Sequence, residues 1–457
     1  MSTAVVLFTC DLRLHDHPPL RAALREHDTV VPLFVRDEGV AAAGFAAPNR
    51  AAFLADCLAD LDAGLRRRGG RLVVRSGRVV DVVCRLAAEA DAVEVHMAAD
   101  HSGYAQRREE RLRGALEGER RALRVHAAVG TVVPPGAIVP QGAEHYAVFG
   151  AYHRRWAAEG TRKPLAAPRA VPVPDGVRSQ EPPSRRGVAG VSPGLAPGGE
   201  TRGRRRLAAW LDGPLDAYAD RHDDLAADAT SRLSAYLHFG AVSPTEAVYR
   251  ARARGGPGAE AFVRQLCWRD FHRQLLAARP AAAREDYRTR HDRWRPGPEA
   301  AADVAAWREG RTGYPVVDAA MRQLAHEGWA HNRARLIAAS FLTKTLYVDW
   351  RVGARHFLEL LADGDIPDNQ LNWQWVAGTG TDSRPNRVLN PVAQGRRYDP
   401  DGTYVRRWLP ELAGVAGPAV HEPWKPGVRA HVPAAYPPPV VDLPESLARF
   451  RAARGLD

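Results

Sequence analysis

Several short stretches of this chain put residues with usable chemistry at helical or turn spacing. Glu260 to Leu276 (EAFVRQLCWRDFHRQLL) fits a helix with Phe262, Leu266 and Leu275 facing inward. Gln265, Trp268, Arg269 and His272 fall three or four residues apart on it and share a face. An indole can stack on a base, an amide can bond its edge, and a guanidinium or imidazole can meet a phosphate. The same four residues also describe a solvated helix face with one half-buried Trp. Asn332, Arg335 and Leu336 share a second helical face in GWAHNRARLIAASFLTKT. Asp363-Gly364-Asp365 follows a helix, and an Asp there could hold Arg335 or a ribose hydroxyl. Thr230-Ser231-Arg232-Leu233-Ser234 offers hydroxyls and backbone amides to a phosphate at a helix start. Asn372-Trp373-Gln374-Trp375, in a Gly-, Asn- and Thr-rich context, reads as a loop or helix start near a ligand. Nine of the eleven tryptophans lie between Trp268 and Trp424; core packing accounts for several, Trp329 and Trp408 among them, and for Trp373 and Trp375 less well. Together these stretches point to a large aromatic cofactor beside a nucleic-acid groove.

The elements that must position them fall into two kinds. Through about residue 130, Val5 to Phe8, Val30 to Val35, Leu72 to Val74 and Ala92 to Val95 read as buried strands. Arg50 to Arg68 and Val79 to Glu89 have helical spacing between them, so a parallel, doubly wound sheet is predicted. No G-x-G-x-x-G follows the first strand, which argues against a classical NAD domain. A ligand there would sit at the carboxyl ends of the strands. From Thr161 to Arg206 the chain turns rich in Pro, Gly, Ser and Arg, and reads either as an inert tether or as a strap ordered against one domain. After Leu207 the patterns are helical nearly to the end. The net charge of +11 favours polyanionic partners, although an Arg-rich composition explains it equally well. Four scattered cysteines argue against a disulfide framework, zinc or an iron–sulfur cluster, and no metal is expected. With no apolar run long enough to span a bilayer and no signal-like N-terminus, a cytoplasmic protein is expected.

The chain resembles the photolyase/cryptochrome family, in particular its class I cyclobutane pyrimidine dimer photolyases. The resemblance is carried by FTCDLRLHDHPPL (Phe8 to Leu20), TSRLSAYLHFG (Thr230 to Gly240) and QLCWRDFHRQL (Gln265 to Leu275). GRTGYPVVDAAMRQL (Gly310 to Leu324), WAHNRARL (Trp329 to Leu336) and NWQWVAGTGTDSRPNRVLNP (Asn372 to Pro391) complete it, so it extends from Val5 to Asp442. It implies an α/β + all-α fold: an N-terminal Rossmann-like parallel-sheet antenna domain (1–130), a linker (131–206) and an all-helical FAD- and DNA-binding domain (207–457). The implied FAD contacts are Tyr218, Thr230, Ser231, Arg232, Leu233, Ser234, Asn332, Arg335, Asp363, Gly364, Asp365 and Asn369, the last facing flavin N5. Trp268 and Trp375 match the aromatics flanking a flipped-out dimer, and Gln265, Asn332 and Asn369 the catalytic positions. DNA is expected to meet Arg221, His222, Gln265, Trp268, Arg269, Asn332, Arg333, Leu336 and Trp375. Trp373, Trp350 and Trp294 match an electron relay that photoreduces the flavin; three extra residues between Trp294 and Trp307 make Trp307 the alternative third member. The implied reaction is light-dependent repair of dimers in UV-damaged DNA by an electron from excited reduced FAD (FADH⁻). The antenna chromophore is expected to be an 8-hydroxy-5-deazaflavin rather than methenyltetrahydrofolate, with Arg50 and Asp100 as contacts. A monomer is the family default.

The chain departs from the family pattern at two places. Gln265 stands where many class I enzymes have a Glu that bonds the dimer, and an amide cannot act as an acid. His222 stands where a phosphate-binding Arg is frequent, with Arg221 adjacent. Gln265 is also usual in (6-4) photolyases and animal cryptochromes, but Asn332 occupies a place where the (6-4) branch has a catalytic His. A cryptochrome-type blue-light receptor, a (6-4) photolyase and an electron-transfer flavoprotein are the alternatives.

Overall fold

The computed structural model describes residues 2–456. Five strands, β1 (Thr3–Phe8), β2 (Thr29–Asp37), β3 (Val73–Gly77), β4 (Ala92–Ala98) and β5 (Ala122–His126), form one parallel sheet in the order β3-β2-β1-β4-β5. Every residue of β1 is buried. A central parallel strand covered by helices on both faces needs an unbroken apolar run, and Ala4 to Phe8 supplies it. The predicted helices are found at Pro48–Arg66 and Val79–Glu89. Leu72 lies just before β3 instead of inside it. Edge strand β5, ALRVH, was not anticipated because only Leu123 and Val125 interrupt its polar character. The helices Pro18–Glu26 and Gly103–Gly118 were also missed: one begins with two prolines, the other is mostly charged.

The Pro-rich segment behaves as a strap. It has no helix or strand from 160 to 184, yet Val171 N–H donates to the Arg68 carbonyl (2.9 Å) and Gln180 N–H to that of Val74 (2.9 Å), while the Pro172 carbonyl accepts from Val30 N–H (2.8 Å). Backbone groups of this irregular stretch are thus paired with the sheet and with the end of the helix Pro48–Arg66.

From Glu200 onward the structure is helical. The junction with the sheet is made by buried polar groups. Arg13, 1% exposed, donates to the carbonyls of Asp16, Val129 and Gly240 (2.8, 3.0 and 2.9 Å), and Leu12 N–H donates to Phe239. Glu200 accepts from the backbone N–H groups of Leu14 and His15. Asp270, in the Pro257–Ala278 helix, accepts from Val132 N–H, Val133 N–H and the Trp156 indole, all within 2.9 Å.

Asp270→Ala would leave those three buried donors without an acceptor, at a cost of about 3 kcal/mol or more. Chemical denaturation followed by tryptophan fluorescence should show a midpoint shift of that size; a loss under about 1 kcal/mol would mean water replaces the carboxylate.

Candidate functional site

Three helices and one turn carry the candidate residues. The turn 230–233 leads into the short helix Ser234–His238, as the hydroxyl-rich sequence predicts. The Thr230 Oγ1 and Ser234 Oγ atoms are buried and have no hydrogen-bond partner. Two orphaned hydroxyls at a helix start are what an incoming phosphate would satisfy. Arg232 behaves differently. Its φ is +49°, and its guanidinium pairs with Asp228 (2.7 Å) and Glu327 (3.0 Å) while lying 4.0 Å from the Trp329 ring centroid. Its side chain is a strut, so any ligand contact from it comes from the backbone. Tyr218 is buried against Trp210 and Phe262. Burial, with Asp223 nearby, pushes its phenol up to about 12, so it is a neutral donor.

The helix Asn332–Ser340 starts at a His331 cap, and Asn332 is exposed at its first turn. Arg335 pairs with Asp363 at 3.0 Å, one of the two roles predicted for that Asp. Asp365 caps the helix Ile366–Ala377, accepting from Asp368 N–H (3.2 Å), and takes 2.6 Å from Arg273 and 3.6 Å from His238. Burial raises the pKa of Asp365, but Arg273, a hydrogen bond from His238 and the charge of Arg269 outweigh it, and the carboxyl stays well below the usual carboxylate range. Asp368 adds a 2.7 Å contact to His272. Neither Asp368 nor this crosslink is visible in sequence spacing, since the partners are 96 residues apart.

Asn369, Trp373 and Trp375 therefore stand on a helix rather than on a loop, the tryptophans in its last turns. Gln374 between them is fully buried, accepts from Tyr287 N–H (2.8 Å) and donates to the Ala282 and Glu285 carbonyls (2.7 and 3.0 Å). Trp373 is buried; a Cβ on Gly353 would lie 2.2 Å from its ring. Its aromatic neighbours are Phe357 (5.0 Å) and Trp307 (6.1 Å). Trp375 is half-buried, with the Arg387 guanidinium 5.1 Å from its ring centroid, a cation the sequence did not single out. Arg387 sits on a loop whose Pro385 and Arg387 carbonyls accept from buried Lys344 (both 2.7 Å).

Along Pro257–Ala278 the predicted shared face divides. Gln265 is exposed and Trp268 half-buried, stacked flat on Phe149 at 3.6 Å. His272 and Arg269 are buried. Arg269 donates to the Gly130 and Leu237 carbonyls, so it joins sheet to helices and is not a surface cation for DNA. Arg50 is likewise buried: its guanidinium donates to the Phe45, Leu358 and Leu361 carbonyls, which engages four of its five N–H groups and leaves one for any antenna. Asp100, beyond the end of β4, accepts from Ser102 N–H. Arg221 is exposed beside Asp224, while His222 Nδ1 lies 3.0 Å from the Tyr218 and Ala219 carbonyls. Arg333 pairs with Asp223 and covers the Tyr398 ring, and half-buried Leu336 packs against the helical core.

The three relay candidates also separate by burial. Trp350 is buried, its indole donating to Asp286 (2.8 Å). Trp294 is partly exposed, 5.0 Å from the Tyr347 ring. Trp307 is wholly buried and donates to the Ala338 carbonyl (3.1 Å).

A parallel sheet is joined to a helical unit that holds two unpartnered buried hydroxyls at a helix start and the half-buried indoles of Trp268 and Trp375. Residues 4–172 match the family model described as DNA photolyase, and residues 262–454 that of the FAD binding domain of DNA photolyase. The chain is 64% identical to the deoxyribodipyrimidine photo-lyase of Streptomyces griseus, over 100% of both chains. It is similar in structure to a class III photolyase from Agrobacterium tumefaciens (TM-score 0.92, 30% identity, 100% of this chain and 97% of that one). The Synechocystis cryptochrome is also similar (TM-score 0.92, 28% identity, 100% and 99%). The chain belongs to the DNA photolyase family and carries its FAD-binding domain. No described helix is long and apolar enough to cross a membrane.

Because Asp365 titrates below its unfolded value, the stability it contributes is present above about pH 4 and lost as pH falls further. Arg273→Ala should remove most of that contribution and leave a buried carboxylate without its main counter-charge, costing about 3 kcal/mol at neutral pH. Denaturant titrations at pH 7 and about pH 2.5 should show the gap between variant and wild type narrowing in acid; a constant gap would place the loss elsewhere.

Proposed function

We propose that this protein repairs cyclobutane pyrimidine dimers in DNA, driven by light and dependent on reduced FAD. One observation carries the reading: Asp365 and Asp368 bind the helix bearing Gln265 and Trp268 to the helix bearing Trp375, and Asp365 also faces His238 on the short helix that the turn with two unsatisfied hydroxyls begins. The full-length Streptomyces relative, named for the same activity, supports it.

Thr230 and Ser234 would hold the FAD phosphates through Oγ, with Ser231, Leu233 and the backbone of Arg232 completing the turn. Arg335, fixed by Asp363, together with Tyr218, Asn332 and Gly364, would line the rest of the cofactor. Asn369 would present its amide to the isoalloxazine; its Nδ2 already donates to the Ala354 carbonyl (3.1 Å), which leaves Oδ1 to face the ring. Bound FAD, when reduced, supplies light absorption and the electron. The chain's own work is positional. Dimerised pyrimidines cannot reach a buried cofactor within a duplex, so the dimer is flipped out, and its poor stacking lowers that cost. Trp268 and Trp375 would enclose it and exclude water. Gln265 would bond a pyrimidine edge without protonating it. Arg221, His222, Arg333 and Arg387 would meet the flanking phosphates.

A (6-4) activity has only Gln265 in its favour. As antenna, an 8-hydroxy-5-deazaflavin is proposed, seated at the carboxyl ends of the strands near Asp100. The relay is proposed to run from Trp373 through Trp350 to Trp294, because the last member must meet an external reductant and Trp294 reaches solvent where Trp307 does not.

Protein with fully reduced FAD should restore DNA carrying cyclobutane dimers under blue light and leave (6-4) lesions unchanged, as read by lesion-specific cleavage. Dimers that persist under illumination would refute the activity. Trp294→Phe should slow photoreduction of oxidised FAD at least about tenfold while repair with prereduced cofactor survives. Full-rate photoreduction in that variant, with loss in Trp307→Phe, would reassign the last relay position.

A further inference from the structure

Under the sheet, far from the residues above in sequence, three ligand-type side chains converge. His27 ends the helix Pro18–Glu26, just before β2; Glu94 and His96 are two residues apart on β4 and so point to one face. His27 Nε2 lies 3.2 Å and His96 Nε2 3.0 Å from the same oxygen, Glu94 Oε2. One atom from each residue lies within 4.8 Å of the others. Glu94 and His96 are buried, at 6% and 0% exposure.

We infer that His27, Glu94 and His96 form a binding site for one divalent transition-metal ion of the Zn²⁺ type. With metal–ligand bonds of about 2.0–2.1 Å, neighbouring donors in a tetrahedron stand about 3.3 Å apart. Both His-to-Glu spacings approach that value without backbone movement. Two imidazoles and one carboxylate form a familiar zinc set with a fourth position for water. Supporting contacts are in place. His96 Nδ1 lies 3.1 Å from His126 Nε2, which fixes the ring as an outer partner does for a metal-bound imidazole. Arg124 Nε bonds the other oxygen, Glu94 Oε1 (2.5 Å), leaving Oε2 free to ligate.

The charges around the site are those of Arg124, half-exposed, and Glu26, 3.1 Å from Arg124. Glu26 offsets the arginine, so the carboxylate charge of Glu94 remains for the ion. Each imidazole would present Nε2 to the metal with its N–H on Nδ1. The ion would tie the end of the first helix to strand β4 on one face of the sheet. The four scattered cysteines hold no trace of it, because none is a ligand.

The test uses the full, tag-free, FAD-loaded protein, stripped with chelator and then given Zn²⁺ or, as a spectroscopic probe, Co²⁺. After desalting, one Zn²⁺ per chain should remain by elemental analysis, and Co²⁺ should give the visible bands of a four-coordinate site. His27→Gln, at the partly exposed edge, and Glu94→Gln should each weaken binding at least about tenfold, while FAD content and light-driven repair stay at wild-type levels. Less than a tenth of an equivalent of Zn²⁺ on the wild type, or unchanged binding in either variant, would overturn the site. FAD loss in the wild type on chelation would instead mean that the metal serves the cofactor region.

Discussion

The buried carboxylate of Asp365 is the contact on which the site's geometry turns. It caps the helix that carries Asn369, Trp373 and Trp375, accepts from Arg273 on the helix that carries Gln265 and Trp268, and faces His238 on the short helix begun by Ser234. Three segments between 234 and 375 are thus referred to one atom pair. A charge so far from water is costly unless opposed, and the nearby arginines supply the opposition. Removing any partner leaves the others with a desolvated charge, so the arrangement holds as a unit. His272 with Asp368 repeats the link one turn further along.

Arginine has a second use here that has nothing to do with phosphate. Arg13, Arg50 and Arg269 are all nearly buried and each donates to backbone carbonyls across the join between sheet and helices. A planar guanidinium with five donors can satisfy several carbonyls left bare by loops and helix ends, which a lysine cannot match. Burial lowers the pKa of Arg50 and Arg269 to about 10, still protonated at neutral pH. Part of the +11 charge that suggests a polyanion therefore lies inside the protein. The exposed share, including Arg221, is what DNA can feel.

How much of this was legible from residues alone depended on range. The central strands were, because apolar runs such as VVLF and VVPLFV leave few alternatives. The turn at Thr230 and the pairing of Arg335 with Asp363 were legible through local chemistry. The edge strand ALRVH was not, since an edge needs little apolar character. Arg269 shows the limit most clearly: helical spacing puts it beside Trp268, but only the packed tertiary neighbours, Gly130 and Leu237, decide that it points inward. Asp368 and Lys344 were silent for the same reason, their partners being remote in sequence.

The sequence Trp373-Gln374-Trp375 shows why one short helix can serve two environments. Residues two apart on a helix are separated by about 200°, so the two indoles must leave on opposite sides. One is drawn into the core, where the missing Cβ of Gly353 admits its ring edge; the other stays at the rim under Arg387. The amide between them is pinned to three backbone groups of the 282–287 segment and prevents the helix from rolling. A roll of even one residue, about 100°, would carry Trp375 away from the rim and Trp373 away from Phe357. Orientation of both aromatics thus rests on a buried glycine and a buried glutamine, and the two tasks proposed for the indoles, electron passage inward and lesion stacking outward, share that single constraint.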